Sequence, residues 1–154
     1  MNVHLSIYLS GEIHTDWRNK LKNMSSNQKL PLTFFEPVTN HSNSDDCGVN
    51  ILGSENEKFW HDYKGASINS IRTKTMIEKS DIVIIRFGDK YKQWNAAFDA
   101  GMAASLGKSI ITFHDKDIDH ALKEIDASAN AVCRTEEQVI KTLQYVINGQ
   151  LNSL

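Results

Sequence analysis

Apolar residues along this chain come in two alternating kinds of run. Short, nearly continuous, β-branched runs occur at Val3 to Leu9 (VHLSIYL), Leu32 to Glu36 (LTFFE), Asp81 to Phe87 (DIVIIRF), Ser109 to Phe113 (SIITF) and Ala131 to Cys133. Unbroken runs of this length read as strands covered on both faces. Between them the apolar residues take helical spacing. Asp16 to about Asn27 reads as a helix with Thr15 as its N-cap and with Trp17, Leu21 and Met24 toward the sheet. Ala66 to Lys79 follows with a stripe of Ile68, Ile71, Thr75 and Met76, and Asn95 to Leu106 with a stripe of Phe98, Met102 and Leu106. Gly107 is the expected C′ residue of the latter. Asp117 to Asp126 and Glu136 to Ile147 complete the helices, the last opening on the capping box Thr135-Glu136-Glu137-Gln138. Thr39 to about Glu57 is polar. It is expected to be a lid or a surface excursion with a short helical turn near Val49 to Leu52.

Strand and helix thus alternate throughout, which means an α/β fold: a parallel sheet with helices on both faces. The expected order of its five strands is 2-1-3-4-5, in one domain spanning 1–154. In such a sheet the crevice lies where the winding reverses, beyond the carboxyl ends of the first and third strands. The loops after Leu9 and after Phe87 should therefore build a small-molecule site.

Composition narrows the partners. A net charge of −2 over 154 residues argues against nucleic acid, whose binders carry a basic surplus. No apolar stretch approaches the length of about 18 residues that spans a membrane. The apolar stretch from Met1 to Gly11 lacks a basic leader and reads as a strand. Cys47 and Cys133 form no CxxC pair and are read as reduced thiols, so the expected compartment is the cytoplasm.

The two loops carry chemistry. After the first strand, Gly11 permits close backbone approach, and Glu12, His14 and Arg18 bring a carboxylate, an imidazole and a guanidinium to a helix N-terminus that favours anions. Alternatively Asp16 complements the helix dipole, while Glu12 and Arg18 are ordinary surface. After the third strand, Tyr91 and Trp94 sit among polar residues, where a planar ring could stack, and Asn95 opens the next helix. That helix is rich in Ala and Gly, and Asp99 is its single charge. An ionised carboxylate at the crevice can attack an electrophilic sugar carbon or act as a base; it can also simply complement the dipole. Trp60-His61-Asp62-Tyr63 could border the pocket, and Arg72 and Lys74 could meet a phosphate, Lys74 being equally placed to pair with Glu78. His41, Asp45, Asp46 and Cys47 match no standard metal spacing, and no GxGxxG, Walker A or GxSxG string occurs. Neither cofactor nor metal is expected.

The strings Tyr8 to Arg18 (YLSGEIHTDWR) and Lys90 to Gly101 (KYKQWNAAFDAG) resemble the YtoQ family, over nearly the whole chain from Val3 to about Ile147. More remotely, the chain is similar to the nucleoside 2-deoxyribosyltransferases. That resemblance implies a flavodoxin-like three-layer sandwich, a nucleoside or nucleotide as the small-molecule partner, and a homodimer or larger homo-oligomer. Its nucleophile lies in a helix reading roughly E-x-G-x-A-x-x-x-G-K, and the run from Asp99 to Lys108 falls there. By that resemblance Asp99 is the nucleophile, Tyr8 its support, and Asp81 a further match. Gly11, Glu12, His14, Arg18, Trp94 and Asn95 would hold the substrate. Asp is one methylene shorter than the Glu of those enzymes, and Gln93 and roughly Lys74 stand where they carry acids. The implied activity is on an N-glycosidic bond, by transfer or hydrolysis. The alternative is a catalytically silent nucleotide-binding or sensing module.

Overall fold

The computed structural model describes residues 3–150, so Met1 and Asn2 of the apolar N-terminal stretch, and 151–154 of the expected domain, lie outside the described residues. Five parallel strands form one sheet: β1 (Leu5–Gly11), β2 (Leu32–Phe35), β3 (Ile82–Arg86), β4 (Ser109–Phe113) and β5 (Ala131–Cys133). Their order is β2-β1-β3-β4-β5, as the alternation of runs implied. Period-two alternation sends Ile7 and Leu9 to one face and Tyr8 to the other. On the first face α1 (Trp17–Asn27) and α6 (Glu136–Asn148) cover Ile7, Leu9, Ile84 and Phe113 with Trp17, Leu21, Ile140 and Leu143. On the second, α3 (Lys58–Lys79), α4 (Trp94–Ser105) and α5 (Asp119–Ala127) cover Tyr8, Val83, Ile85 and Ile110 with Ile77, Ala96, Ala100, Ala103 and Leu122. The result is a flavodoxin-like three-layer sandwich.

Helix ends follow local chemistry. Thr135 accepts from the Gln138 amide at 3.2 Å, so the expected cap of α6 forms. The Gln138 side chain reaches back one residue further than a capping box requires, to the Arg134 amide. α4 ends on Gly107 at φ +68°, with Lys108 N–H bonded to Ala103 O and Gly107 N–H to Ala104 O, a Schellman pair. Thr15 does not cap α1. Asp16 occupies that position, its carboxylate accepting from Asn19, while Thr15 bonds Glu12.

Several expectations are corrected. The polar stretch after Thr39 is no loop. It holds a twelve-residue helix, α2 (His41–Leu52), capped by Asn40 through the Asn43 amide. The following helix α3 begins at Lys58, well before Ala66. The two cross so closely that a Cβ on Gly48 would sit 2.3 Å from the Gly65 nitrogen. Low intrinsic propensity hid α2; packing against α3 makes it a helix. The stripes on α3 and α4 are also rotated from those expected. Ile71 is 68% exposed and Ile77 is fully buried. On α4 the alanines Ala96, Ala100 and Ala103 face the sheet, Phe98 is 68% exposed and Leu106 lies outside the core. A helix that sits directly on strands gains more from close backbone approach than from bulky side chains, so the small face wins the core. Finally, the segment expected to be one helix from Asp117 starts as a 3-10 turn at Lys116–Ile118 before α5.

Candidate functional site

The carboxyl edges of β1 and β3 open into a cleft of about 810 Å³, within the usual range for small-molecule sites. Tyr8 and Ser10 share the face of β1 on which α4 lies, and α4 brings Asp99 to them. Ser10 Oγ donates to Asp99 Oδ2 at 2.6 Å. Burial raises the Asp99 carboxyl above the ordinary carboxylate range, and the Ser10 bond works against that rise. Tyr8 is buried, and its phenol is pushed up to about 12, first by burial and then by the Asp99 charge; Thr73, Arg18 and Arg72 act in the opposite direction. At neutral pH Tyr8 is therefore a phenol, next to a carboxylate at the cleft floor. Ser10 was not among the expected site residues. Its position two residues beyond Tyr8 on one strand was the available signal.

The turn after β1 is held by its own polar groups. Gly11 has φ +106°, and a Cβ there would lie 2.0 Å from Arg86 O, so only glycine lets β1 bend against β3. The Glu12 carboxylate accepts from the Thr15 amide at 2.8 Å, from the Thr15 hydroxyl and from the His14 amide. Arg18 is 6% exposed and stands outside the cleft lining. Its Nε, Nη1 and Nη2 donate to Leu9 O, Glu12 O and Gly11 O at 3.1, 2.7 and 3.0 Å. The guanidinium thus fastens the end of β1 to α1 while stacking on Trp17 at 4.6 Å. Of the residues expected on this turn, Gly11, Glu12 and His14 line the cleft, and Glu12 does so with its carboxylate already engaged.

The loop after β3 forms the opposite lip. Trp94 and Asn95 line the cleft, both exposed, and the Lys92 ammonium lies 5.6 Å from the Trp94 ring. Tyr91, at φ +62°, packs its ring 4.9 Å from that of His14, so the two lips meet. Asp62 of α3 also borders the cleft, whereas Trp60 and Tyr63 cluster with Phe59 outside its lining.

Residues 8–147 match the model of a family described as nucleoside 2-deoxyribosyltransferase YtoQ. The chain belongs to the YtoQ family. An uncharacterized YtoQ protein of Bacillus subtilis (strain 168) is 42% identical over 144 residues, covering 94% of this chain and 97% of that one. Among solved structures, a 2-deoxyribosyltransferase from Bacillus psychrosaccharolyticus aligns at a TM-score of 0.55 and 20% identity, covering 87% of this chain and 89% of its own. A conserved protein from Enterococcus faecalis V583 aligns at 0.62 and 11% identity, over 94% and 99% of the two chains. At these identities the structures share the fold.

Within this YtoQ-family chain the positions that depart from the deoxyribosyltransferase pattern have structural work of their own. Gln93 Oε1 accepts from the Gly88 amide at 3.2 Å and its Nε2 donates to Lys90 O at 2.6 Å, so the side chain braces the loop from within. Lys74 lies 3.9 Å from Glu78, as helical spacing suggested. Asp81 accepts from the Ser6 amide at 2.8 Å, tying β1 to β3 at the start of β3. The His41, Asp45, Asp46 and Cys47 group does not converge: His41 faces Asp45 at 3.7 Å, Asp46 faces His61 at 3.2 Å, and the Cys47 thiol faces Ser44 O. A tighter group lies at the ends of β4 and β5. There His114 sits between Asp119 and Asp126, but the Arg134 guanidinium is already bonded to Asp119 at 2.5 Å and lies 3.2 Å from His114 Nδ1. A cation is thus built into that cluster. No helix among the described residues is long and apolar enough to cross a membrane.

Proposed function

We propose that this protein acts on the N-glycosidic bond of a nucleoside or nucleotide, with Asp99 as nucleophile. The observation that carries the reading is the Ser10–Asp99 bond of 2.6 Å at the cleft floor. One carboxylate oxygen is held there and the other is left to react. In the reaction, that oxygen bonds to the anomeric carbon as the carbon–nitrogen bond breaks, and the electron pair leaves with the base, which takes up a proton from solvent water at the open lip of the cleft. The product is a glycosyl ester of Asp99 and a free base. Attack by water or by a second base releases the sugar with net retention, the logic of retaining glycosidases. Tyr8 orients Asp99. Trp94 offers a face for the base, with His14 and Asn95 at its edge, and the Gly11 backbone borders the sugar. Glu12 and Arg18 serve by shaping the turn.

The test is incubation with a panel of nucleosides and mononucleotides, followed by chromatography for free base. Release is expected, and Asp99→Asn should reduce it by roughly 10³-fold or more. A second reading is a silent binding module. It is favoured by Glu12 and Gln93, whose side chains are engaged within their own loops and so do not serve a leaving base. Ligand-dependent thermal stabilisation with no base released would select it. We further propose a homo-oligomer, formed through the outer face of α4, where Trp94 and Phe98 stand exposed at i and i+4.

A further inference from the structure

Four carboxylates and three long-chain cations line the cleft, and most of them are matched. Glu12 accepts from the Thr15 amide at 2.8 Å. Asp45 lies 3.7 Å from His41, and Asp62 lies 3.3 Å from both Lys58 and His61. Asp99 remains as the reacting group. Among the cations, Lys58 is held by Asp62, and Lys92 lies over the Trp94 ring. The third cation, Arg72, lines the cleft and is exposed. Among the described residues it has no acidic partner; the two acids on its own helix, Asp62 and Glu78, are taken by Lys58 at 3.3 Å and Lys74 at 3.9 Å. Arg72 is nevertheless close to the chemistry. It and the adjacent Thr73 line the same cleft as Tyr8 and Asp99, and its charge lowers the Tyr8 phenol that the Asp99 charge raises.

An unpaired guanidinium near the nucleophile calls for an anion on the substrate. A planar fork of donors matches a phosphate monoester better than any neutral sugar hydroxyl. In a pentose whose anomeric carbon faces Asp99, the substituent that extends away from the ring is the 5′ arm. We propose that the substrate is a nucleoside 5′-monophosphate and that Arg72 receives its phosphate. This rests on the glycosidic reading above and narrows its substrate class. It also has an electrostatic logic, since a dianionic substrate approaching an ionised Asp99 requires a cation between the two charges.

The test compares four probes on the full chain: a 2′-deoxynucleoside, its 5′-monophosphate, its 3′-monophosphate and 2-deoxyribose 5-phosphate. Binding is read by calorimetry and base release by chromatography. The 5′-monophosphate should bind at least about tenfold tighter than the nucleoside, the scale of one charge-assisted contact, and the sugar phosphate alone should bind. Arg72→Ala should bring the ratio of nucleotide to nucleoside affinity close to one, and Arg72→Lys should retain part of it. Equal affinities, a preference for the 3′-monophosphate, or a ratio that survives Arg72→Ala would overturn the proposal. If nucleosides release base as readily as nucleotides, the glycosidic reading stands and the phosphate site falls. Selective 5′-monophosphate binding that depends on Arg72, without base release, would keep the phosphate site and end the catalytic reading. No binding by any probe removes both.

Discussion

Asp99 illustrates how one side chain carries opposed demands. As the proposed nucleophile it has to be ionised, yet burial raises its carboxyl above the ordinary range and only the Ser10 hydroxyl offsets that. Because the folded-state value is raised, the group's contribution to stability is fully present below the unfolded value, and it is lost as pH rises through the folded one. Asp99→Asn keeps the shape and removes the charge. It should melt at a higher temperature than the native chain at about pH 7, with the gap closing toward about pH 4. Thermal scans across that range check this, and a variant that is less stable at neutral pH contradicts it. Base release should correspondingly fall on the acid side at a pH above the usual aspartate value. Arg18 makes the reverse case, a charge expected at a ligand and found bonded to three backbone carbonyls. Arg18→Ala leaves those carbonyls unpaired and should cost about 2–4 kcal/mol in denaturant unfolding, far more than an exposed ligand-binding arginine would.

At the scale of elements, the cleft depends on a helical hairpin that propensity alone disfavours. α2 is rich in Asn, Ser and Asp, and it holds against α3 through the Gly48–Gly65 crossing. Gly48→Ala places its methyl group against the α3 backbone, at 2.3 Å from Gly65 N and the Lys64 carbonyl carbon, where no rotamer change relieves it. The expected cost is about 2 kcal/mol, with faster amide exchange in α2 and unchanged exchange in the sheet. Gly101 is the control: a Cβ there meets nothing within 4 Å. Gly101→Ala should stabilise α4 by up to about 1 kcal/mol. Equal effects at the two glycines would contradict a tight crossing.

At the scale of the molecule, the feature left over is the apolar outer face of α4. Trp94 and Phe98 are 71% and 68% exposed and border the cleft. Exposed aromatics in a row mark an interaction surface. In sedimentation the chain should run as a dimer or larger at micromolar concentration, and Phe98→Glu should shift it to monomer. A native chain that sediments as a monomer contradicts the oligomer.

Periodicity and punctuation in the chain determined the strands, their order, the ends of α4 and α6, and the two loops that meet at the cleft. These are local or topological matters: run length, caps and the right-handed crossover leave few other arrangements. Asp99 was legible as the single charge of a small-residue helix beside the crevice, and Tyr8 only through the family resemblance. Tertiary structure alone decided which face of α3 and α4 is buried, because alanine and bulky stripes compete for the same sheet and backbone approach chooses between them. It alone made α2 a helix, since its stability comes from a partner and not from its own residues. It alone showed that Glu12 and Arg18 have their side chains engaged in the turn, that Ser10 stands behind Asp99, and that Arg72 lines the cleft. The same polar groups can bond backbone or substrate, and distance selects between them.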